Sequence, residues 1–395
     1  MQVCLVKCPS PFLIDEKVFP PLGLLAVGTV LKQAGHGVYV HDGSLEDIPR
    51  NYSYYGFGPS TPEYPYAVRA MRAIRQHNKS ARIVIGGPHA TLNPISDEFD
   101  CVVLGDGEPV AEEAFRGNQV IMRGDERPLD EYPIVDRNLI DIRAYKYQIN
   151  NRQATSVVTA RGCPYRCGFC CKNYKTVRLR SADSVKREIE ILDKDFGYRA
   201  FMFFDDTFIL NKQRVVDLCK YFKTHDVLWR CFVRGDLVVR HGAPLIEKMA
   251  DSGCVEVGIG IESASDRILK TIHKGESIDT IRKAIGILRK NAIRVKGLFI
   301  IGLPGENYES LGETEGFLHE VELDDADFTI FQPYAGAPIW EHKAQYDIDW
   351  HELEYLNTWY KGFPDKYMSN VFTSELSPIE IVSAREALYQ TWRKL

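Results

Sequence analysis

The sequence predicts an α/β protein: a doubly wound parallel sheet first, then a partial barrel of six βα units, then a short helical region at the carboxyl end. Three observations carry this reading. Short, continuous apolar runs recur along the chain, as strands buried on both faces require. Segments with apolar residues at helical spacing separate them. Many of the runs end in glycine or a small polar residue, where a loop must pack closely.

In the first block, residues 1–120, "VCLVK" is a strand and "PPLGLLAVGTVLKQAGH" a helix that begins near a proline and is ended by Gly35 and Gly37. "VYVHD" and "YYGFGPST" are the next strands. A helix follows on which Ala67, Ala70, Met71 and Ile74 share one face. "RIVIGG" and "CVVLGDG" complete the set. In such a sheet the ligand lies beyond the carboxyl ends of the strands. Those ends carry Gly58, Ser60 and Thr61, then Gly86, Gly87 and His89, then Gly105, Gly107 and Glu108, mostly small residues that let a large ligand approach the backbone.

Residues 121–152 are polar and proline-marked and are read as a linker. The second block, 153–335, repeats the strand–helix unit with "SVVTA", "AFMFFDD", "LWRCFVRGD", "VEVGIGIES", "VKGLFIIGLP" and "ADFTIFQPY" as strands. Val215, Leu218, Cys219 and Phe222 form one apolar helix face, and Ile281, Ala284, Ile285 and Leu288 another. Residues 336–395 form the carboxyl-terminal region, closing with a helix that starts near Ser377 and Pro378.

A net charge of −5 with scattered lysines and arginines gives no footprint for nucleic acid. No signal peptide is found, and no apolar run approaches the ~20 residues that span a bilayer. A cytoplasmic protein is expected, with no membrane partner. Ten cysteines there do not read as disulfides. Cys101, Cys219 and Cys254 sit at apolar-face positions and read as buried thiols.

The stretch "CPYRCGFCC" is different. Cys163, Cys167 and Cys170 follow a C-x₃-C-x₂-C spacing directly after the first strand of the second block, at the mouth where a barrel's active site lies. Thiolates packed this closely repel unless a cation neutralises them. Zinc is the generic alternative, yet it wants four ligands, usually as two separated pairs. Three cysteines on a [4Fe–4S] cluster leave one iron open for a small chelating ligand. Cys171 reads as a packing residue.

"ARGCPYRCGFC" resembles the signature of the radical S-adenosylmethionine (SAM) superfamily, with Phe169 as the aromatic residue before the third cysteine. The resemblance implies that the three cysteines hold a [4Fe–4S] cluster and that SAM binds its fourth iron. It implies Asp205 and Asp206 near the SAM amino group, Arg234 at its carboxylate, and Glu262 and Ser263 near the ribose. Gly302, Pro304 and Gly305 of "GLPGE" would pass close to the adenine, and Gln332 of "QPYAGAPIW" would stand at the sixth strand end. Taken singly, each has a plainer reading: a helix cap for the two aspartates, an ion pair for Arg234, a turn for the glycines.

The first block resembles the cobalamin-binding domain that precedes the radical core in the cobalamin-dependent class of this superfamily. That implies contacts from the nine strand-end residues named above. The D-x-H-x-x-G motif that supplies a histidine to cobalt in many cobalamin enzymes is absent, which implies cobalt without a protein histidine below it. His41 stands outside that motif. His89 is read near the nucleotide tail or as structural.

The resemblance implies reductive cleavage of SAM to a 5′-deoxyadenosyl radical that abstracts hydrogen from a substrate. Cobalamin-dependent methylation of an unactivated carbon in a small-molecule intermediate is the favoured outcome. A ring closure, oxidation, dehydration or epimerisation is the alternative, and a non-catalytic binding module is a third. An external one-electron donor such as flavodoxin or ferredoxin is expected. Trp340, Trp350, Trp359 and Tyr360 are candidates to line a pocket or to form aromatic core.

Overall fold

The computed structural model describes all residues except 12, 14, 95–97, 175 and 352–366. The chain divides into two units, Met1–Tyr147 with Lys172–Arg178, and Gln148–Cys171 with Leu179–Leu395.

The first unit is built on β1 (Gln2–Val6), β2 (Gly37–His41), β3 (Tyr54–Phe57), β4 (Arg82–Ile85), β5 (Cys101–Gly105) and β6 (Ile121–Gly124), in the order β2-β1-β3-β4-β5-β6. Every pairing in this sheet is parallel. The helices are α1 (Leu22–Gln33), α2 (Tyr64–His77), α3 (Gly87–Leu92) and α4 (Ala111–Arg116). Alternate residues of each strand feed two cores. Val6, Tyr55, Phe57 and Ile83 join Ala67, Ala70, Met71 and Ile74 of α2, while Val3, Leu5, Val84 and Cys101 join α1 and α4. A sheet buried on both faces is what its continuous apolar strands require. The strand order reverses between β1 and β3, the place where such sheets receive a ligand.

Two features differ from the sequence expectation. Ile121–Gly124, read as the start of a linker, is the sixth strand of this sheet. Only Met122 and Gly124 turn inward, so the short edge strand carries little apolar signal. The unit also reaches beyond residue 120 to Tyr147, and takes in 172–178.

The second unit holds β7 (Thr155–Val157), β8 (Ala200–Phe203), β9 (Leu228–Val233), β10 (Cys254–Glu262), β11 (Arg294–Ile301) and β12 (Asp325–Ile330), paired in chain order from β7 to β12. All five pairings are parallel. Among the described residues β7 and β12 do not pair with each other, so this is an open barrel. The helices between strands are α5 (Ala182–Phe196), α6 (Lys212–Thr224), α7 (Gly235–His241), α8 (Ala243–Asp251), α9 (Asp266–Thr271), α10 (Ile278–Lys290) and α11 (Tyr308–Glu320). The faces expected of α6 and α10 are both buried. The last helix, α12 (Pro378–Lys394), is capped by Ser377. It lies along the open edge, where Arg385 Nε donates to Phe328 O at 3.0 Å.

Candidate active site

The loop after β7 carries the cysteines to the carboxyl end of the open barrel. Cys167 opens a tight turn in which Cys170 N donates to Cys167 O at 3.2 Å. Gly168 is clamped between two segments, donating to Ile272 O at 2.7 Å and accepting from Ile339 N at 2.9 Å. A side chain at 168 would stand 3.3 Å from Ile272 O and from the Ile339 side chain, so glycine leaves room for this clamp. Phe169 is half-buried in the same turn.

The electrostatics fit a cation. Burial raises the Cys163 thiol above its ordinary value, with the charges of Asp206 and Cys167 adding to it and Arg234 opposing. Cys170 keeps surface exposure, yet its thiol is pushed up to about 12, by desolvation first and then by Cys171, Asp206, Cys167 and Cys163. Thiols so placed ionise when a positively charged centre takes them as ligands. No three His, Cys, Asp or Glu side chains among the described residues are arranged around a single ion. In a cluster each iron takes its own thiolate, and three cysteines can supply three of them, whereas a structural zinc site wants four ligands. Cys171 is apart in role: its sulfur lies 3.5 Å from Ala335 O and 3.8 Å from Tyr334 O, a packing contact.

The two aspartates after β8 divide. Asp205 is 1% exposed and turned inward, accepting from Thr159 N at 2.6 Å and Ala160 N at 2.9 Å, as well as from the Thr159 hydroxyl. Its oxygens hold the backbone just after β7 and cap no helix, because Thr207 stands at the N-cap of the helical turn that follows. Asp206 is the solvent-facing member, and its charge is felt at Cys163 and Cys170.

Arg234, at the end of β9, is 6% exposed. Its Nε is 3.2 Å from Asp236 Oδ1, and Nη2 donates to Lys274 O at 2.6 Å and faces Glu276 Oε2 at 3.1 Å. Nη1 lies 3.5 Å from Cys167 Sγ. The guanidinium also stacks 3.6 Å from the Tyr165 ring, whose hydroxyl donates to Asp236 at 2.8 Å. A two-nitrogen grip on a ligand carboxylate is therefore not available to Arg234, because only Nη1 is left outside the network.

Glu262 ends β10 with φ +65°, a left-handed conformation unusual for glutamate, and its Oε1 receives Lys274 Nζ at 2.8 Å. Burial alone would lower the Lys274 ammonium, and Glu262 and Glu276 more than reverse this, holding it above the ordinary lysine value. Ser263 is buried, its hydroxyl accepting from Ser265 N at 3.3 Å. Lys274, Glu276 and Tyr165 were not singled out from the sequence, where charged residues and a lone tyrosine give no sign of burial. Gly302 has φ +87°, and a side chain there would stand 3.0 Å from Ile381 of α12. The left-handed backbone by itself favours glycine there, and packing against Ile381 adds to it. Gly305, also left-handed, donates to Asp347 O at 3.2 Å, Pro304 is buried beside it, and Gln332 is buried beyond β12. Trp340 and Trp350 stack on each other at 5.3 Å. Trp359 and Tyr360 lie outside the described residues.

In the first unit, the ends of β3 and β4 meet. Gly87 has φ +82°, and a side chain on it would stand 2.9 Å from the Gly58 carbonyl carbon. His89 is 2% exposed, with Nδ1 3.1 Å from Thr61 Oγ1 and its ring stacked 4.0 Å from Tyr64. Its Nε2 and the Ser60 hydroxyl are both buried without a hydrogen-bond partner. Desolvation lowers the His89 pKa to about 4, so the ring is neutral at physiological pH. Gly105 N donates to Thr91 Oγ1 at 3.0 Å, which ties the β5 end to the same place, while Gly107 and the buried Glu108 follow. Two orphaned polar atoms at the carboxyl ends of β3 and β4 fit a polar ligand tail.

Both units have counterparts among known families. Residues 157–318 match the model of the radical SAM superfamily, and residues 16–115 that of the B12 binding domain. A relative called an uncharacterized methyltransferase, from Pyrococcus horikoshii, is 30% identical over an alignment of 390 positions covering 87% of this chain and 83% of that protein. The anaerobic magnesium-protoporphyrin IX monomethyl ester cyclase of Rubrivivax gelatinosus is 24% identical, over 71% of this chain and 56% of its own length. Among solved structures, the cobalamin-dependent SAM radical enzyme OxsB, with aqua-cobalamin and SAM bound, superposes with a TM-score of 0.68 at 17% identity. That match covers 90% of this chain and 56% of OxsB, so this chain spans little more than half of it. The chain is thus an enzyme of the radical SAM superfamily, a member of the group in which a B12-binding domain precedes the radical SAM core.

Proposed function

We propose that the protein is a cobalamin-dependent radical SAM methyltransferase acting on an unactivated carbon of a small molecule. The observation that carries this reading is the pairing, in one chain, of three thiols at the mouth of an open parallel barrel with a B12-binding unit that keeps two unpartnered polar atoms at the carboxyl ends of its strands. When bound, the [4Fe–4S] cluster, SAM and cobalamin supply the radical and the methyl group. The chain's own part is to hold and orient them. Cys163, Cys167 and Cys170 would hold three irons. Asp206 would face the SAM amino group, Glu262 the ribose, and the Gly302–Gly305 turn the adenine. Ser60 and His89 offer hydrogen bonds to the cobalamin tail, with no histidine for the cobalt. The first unit is assigned to cobalamin and the second to the cluster and SAM.

A cytoplasmic location and an external electron donor such as flavodoxin or ferredoxin belong to the same reading. All ten cysteines are free thiols, in keeping with a reducing compartment. Among the described residues no helix is long and apolar enough to cross a membrane. The cyclase relative favours a second reading, ring closure without methyl transfer.

The test is anaerobic purification with iron, sulfide and hydroxocobalamin, followed by SAM, a strong reductant and candidate substrates. Both 5′-deoxyadenosine and S-adenosylhomocysteine, formed by a cobalt-loaded protein, support methyl transfer. Release of 5′-deoxyadenosine alone moves the assignment to the non-methylating reaction. Absence of SAM cleavage in a four-iron protein overturns both.

A further inference from the structure

Four charged side chains form an unbroken buried line in the second unit. It begins at Glu262, whose Oε1 is 2.8 Å from Lys274 Nζ. Lys274 Nζ is 3.6 Å from Glu276 Oε2, which is 3.1 Å from Arg234 Nη2. Arg234 Nη1 ends the line 3.5 Å from Cys167 Sγ. The side chains of Glu276, Lys274, Arg234 and Glu262 are 0%, 4%, 7% and 10% exposed, so water screens none of these charges well.

Several features show the line is built rather than incidental. Glu276 is fixed at its other oxygen, which accepts from Asp236 N at 2.6 Å. The left-handed Gly275 sits between Lys274 and Glu276, so both side chains come from one tight turn. Two glycines make room: a side chain at 235 would stand 3.0 Å from Glu276 Oε1, and one at 260 would stand 2.9 Å from Lys274 Nζ. Tyr165, inside the cluster loop, stacks on the guanidinium and hydrogen-bonds Asp236, tying the loop to the same arginine.

We infer that Arg234, held by Asp236 and the Lys274 carbonyl, donates from Nη1 to the Cys167 thiolate of the bound cluster, that Glu276 tempers its charge, and that this buried line sets the cluster's reduction potential. The inference rests on the cluster reading of Cys163, Cys167 and Cys170. Hydrogen bonds and charges at a cluster's sulfurs are among the terms that fix its potential. A cation beside the thiolate favours the reduced, more negative cluster. Glu276 moderates that cation without displacing it.

The two partners therefore have opposite expected effects. The experiment is an EPR-monitored redox titration of the reconstituted full-length protein without SAM, comparing the native chain with Arg234→Gln and Glu276→Gln. Arg234→Gln removes the cation and should lower the midpoint potential. Glu276→Gln leaves the cation uncompensated, still held by Asp236 and the Lys274 carbonyl, and should raise it. Midpoints equal to that of the native chain, with changes confined to SAM affinity, would overturn the inference and return Arg234 to a SAM contact. Shifts of the same sign in both variants would overturn the role of Glu276. If Arg234→Gln fails to load iron, Arg234→Lys decides: it keeps the charge but loses the fork, so an altered EPR signal supports the contact and an unaltered signal and midpoint refute it. A native protein that loads no four-iron cluster would sink the underlying reading instead.

Discussion

Arg178 closes on Asp106 with both terminal nitrogens, Nη1 at 2.6 Å from Oδ2 and Nη2 at 3.3 Å from Oδ1. The Tyr132 hydroxyl donates to the same Oδ2 at 2.7 Å. The Asp106 side chain is fully buried and that of Arg178 is 10% exposed. Arg178 follows the cluster cysteines in the chain, yet it belongs to the first unit and braces its "GDG" loop.

Removing one member of a buried pair strands the other charge, at a cost of about 3–5 kcal/mol. Arg178→Ala should therefore lower first-unit stability by about that much, visible as an earlier transition in urea. Replacing both residues by apolar ones of similar size should recover most of the loss. A single mutant that unfolds at the native urea concentration would show that the pair contributes nothing.

The cysteines separate cleanly by role. Alanine at Cys163, Cys167 or Cys170 removes a cluster ligand and should take iron well below the about four per chain of a [4Fe–4S] protein. Alanine at Cys171, whose sulfur meets the carbonyls of Tyr334 and Ala335, should leave iron unchanged. Iron and sulfide analysis after reconstitution reads both. Loss of iron in Cys171→Ala would make it a ligand.

Much of this arrangement was legible in the sequence wherever local pattern decides. The buried face of α2 is Ala67, Ala70, Met71 and Ile74, as helical spacing requires, and the three cysteines stand at a strand end as their spacing and position imply. What was not legible depends on distant partners. The chain's return at 172–178 is explained by Arg178 meeting Asp106, a contact spanning 72 residues. Lys274 and Glu276 read as solvated charges until the tertiary fold buries them against Arg234. Asp205 and Asp206 are adjacent and chemically identical. Only the fold decides that Asp205 holds the backbone just after β7 while Asp206 faces the cysteines.

Gly87 tests the crevice at the ends of β3 and β4. Its φ of +82° is strained for any side chain, and alanine would meet the Gly58 backbone at 2.9 Å. Backbone cannot yield as a flexible side chain does. Gly87→Ala should destabilise the first unit by at least about 1–2 kcal/mol. It should also weaken cobalamin retention through gel filtration, while iron content in the second unit stays native. Undiminished cobalt retention in a folded Gly87→Ala protein would remove this crevice from the cobalamin site.

Glu306 should make stability fall with rising pH. It is wholly buried in the turn after β11, where Oε2 accepts from Gly302 N at 2.6 Å and Oε1 has no partner. Desolvation raises its pKa to about 7, against the Gly302 and Leu303 amides, which favour the anion. The folded protein then binds a proton that the unfolded chain releases near the ordinary value of 4.5. Between those two values stability declines as pH rises, and above about 7 the full cost of the buried charge persists. Glu306→Gln keeps an oxygen for Gly302 N and cannot ionise, so thermal melts of this variant should lose that part of the decline. Melting the native protein and the variant at about pH 5 and about pH 8 brackets the window. If the difference in melting temperature between native protein and variant is the same at both pH values, Glu306 is not the group that titrates.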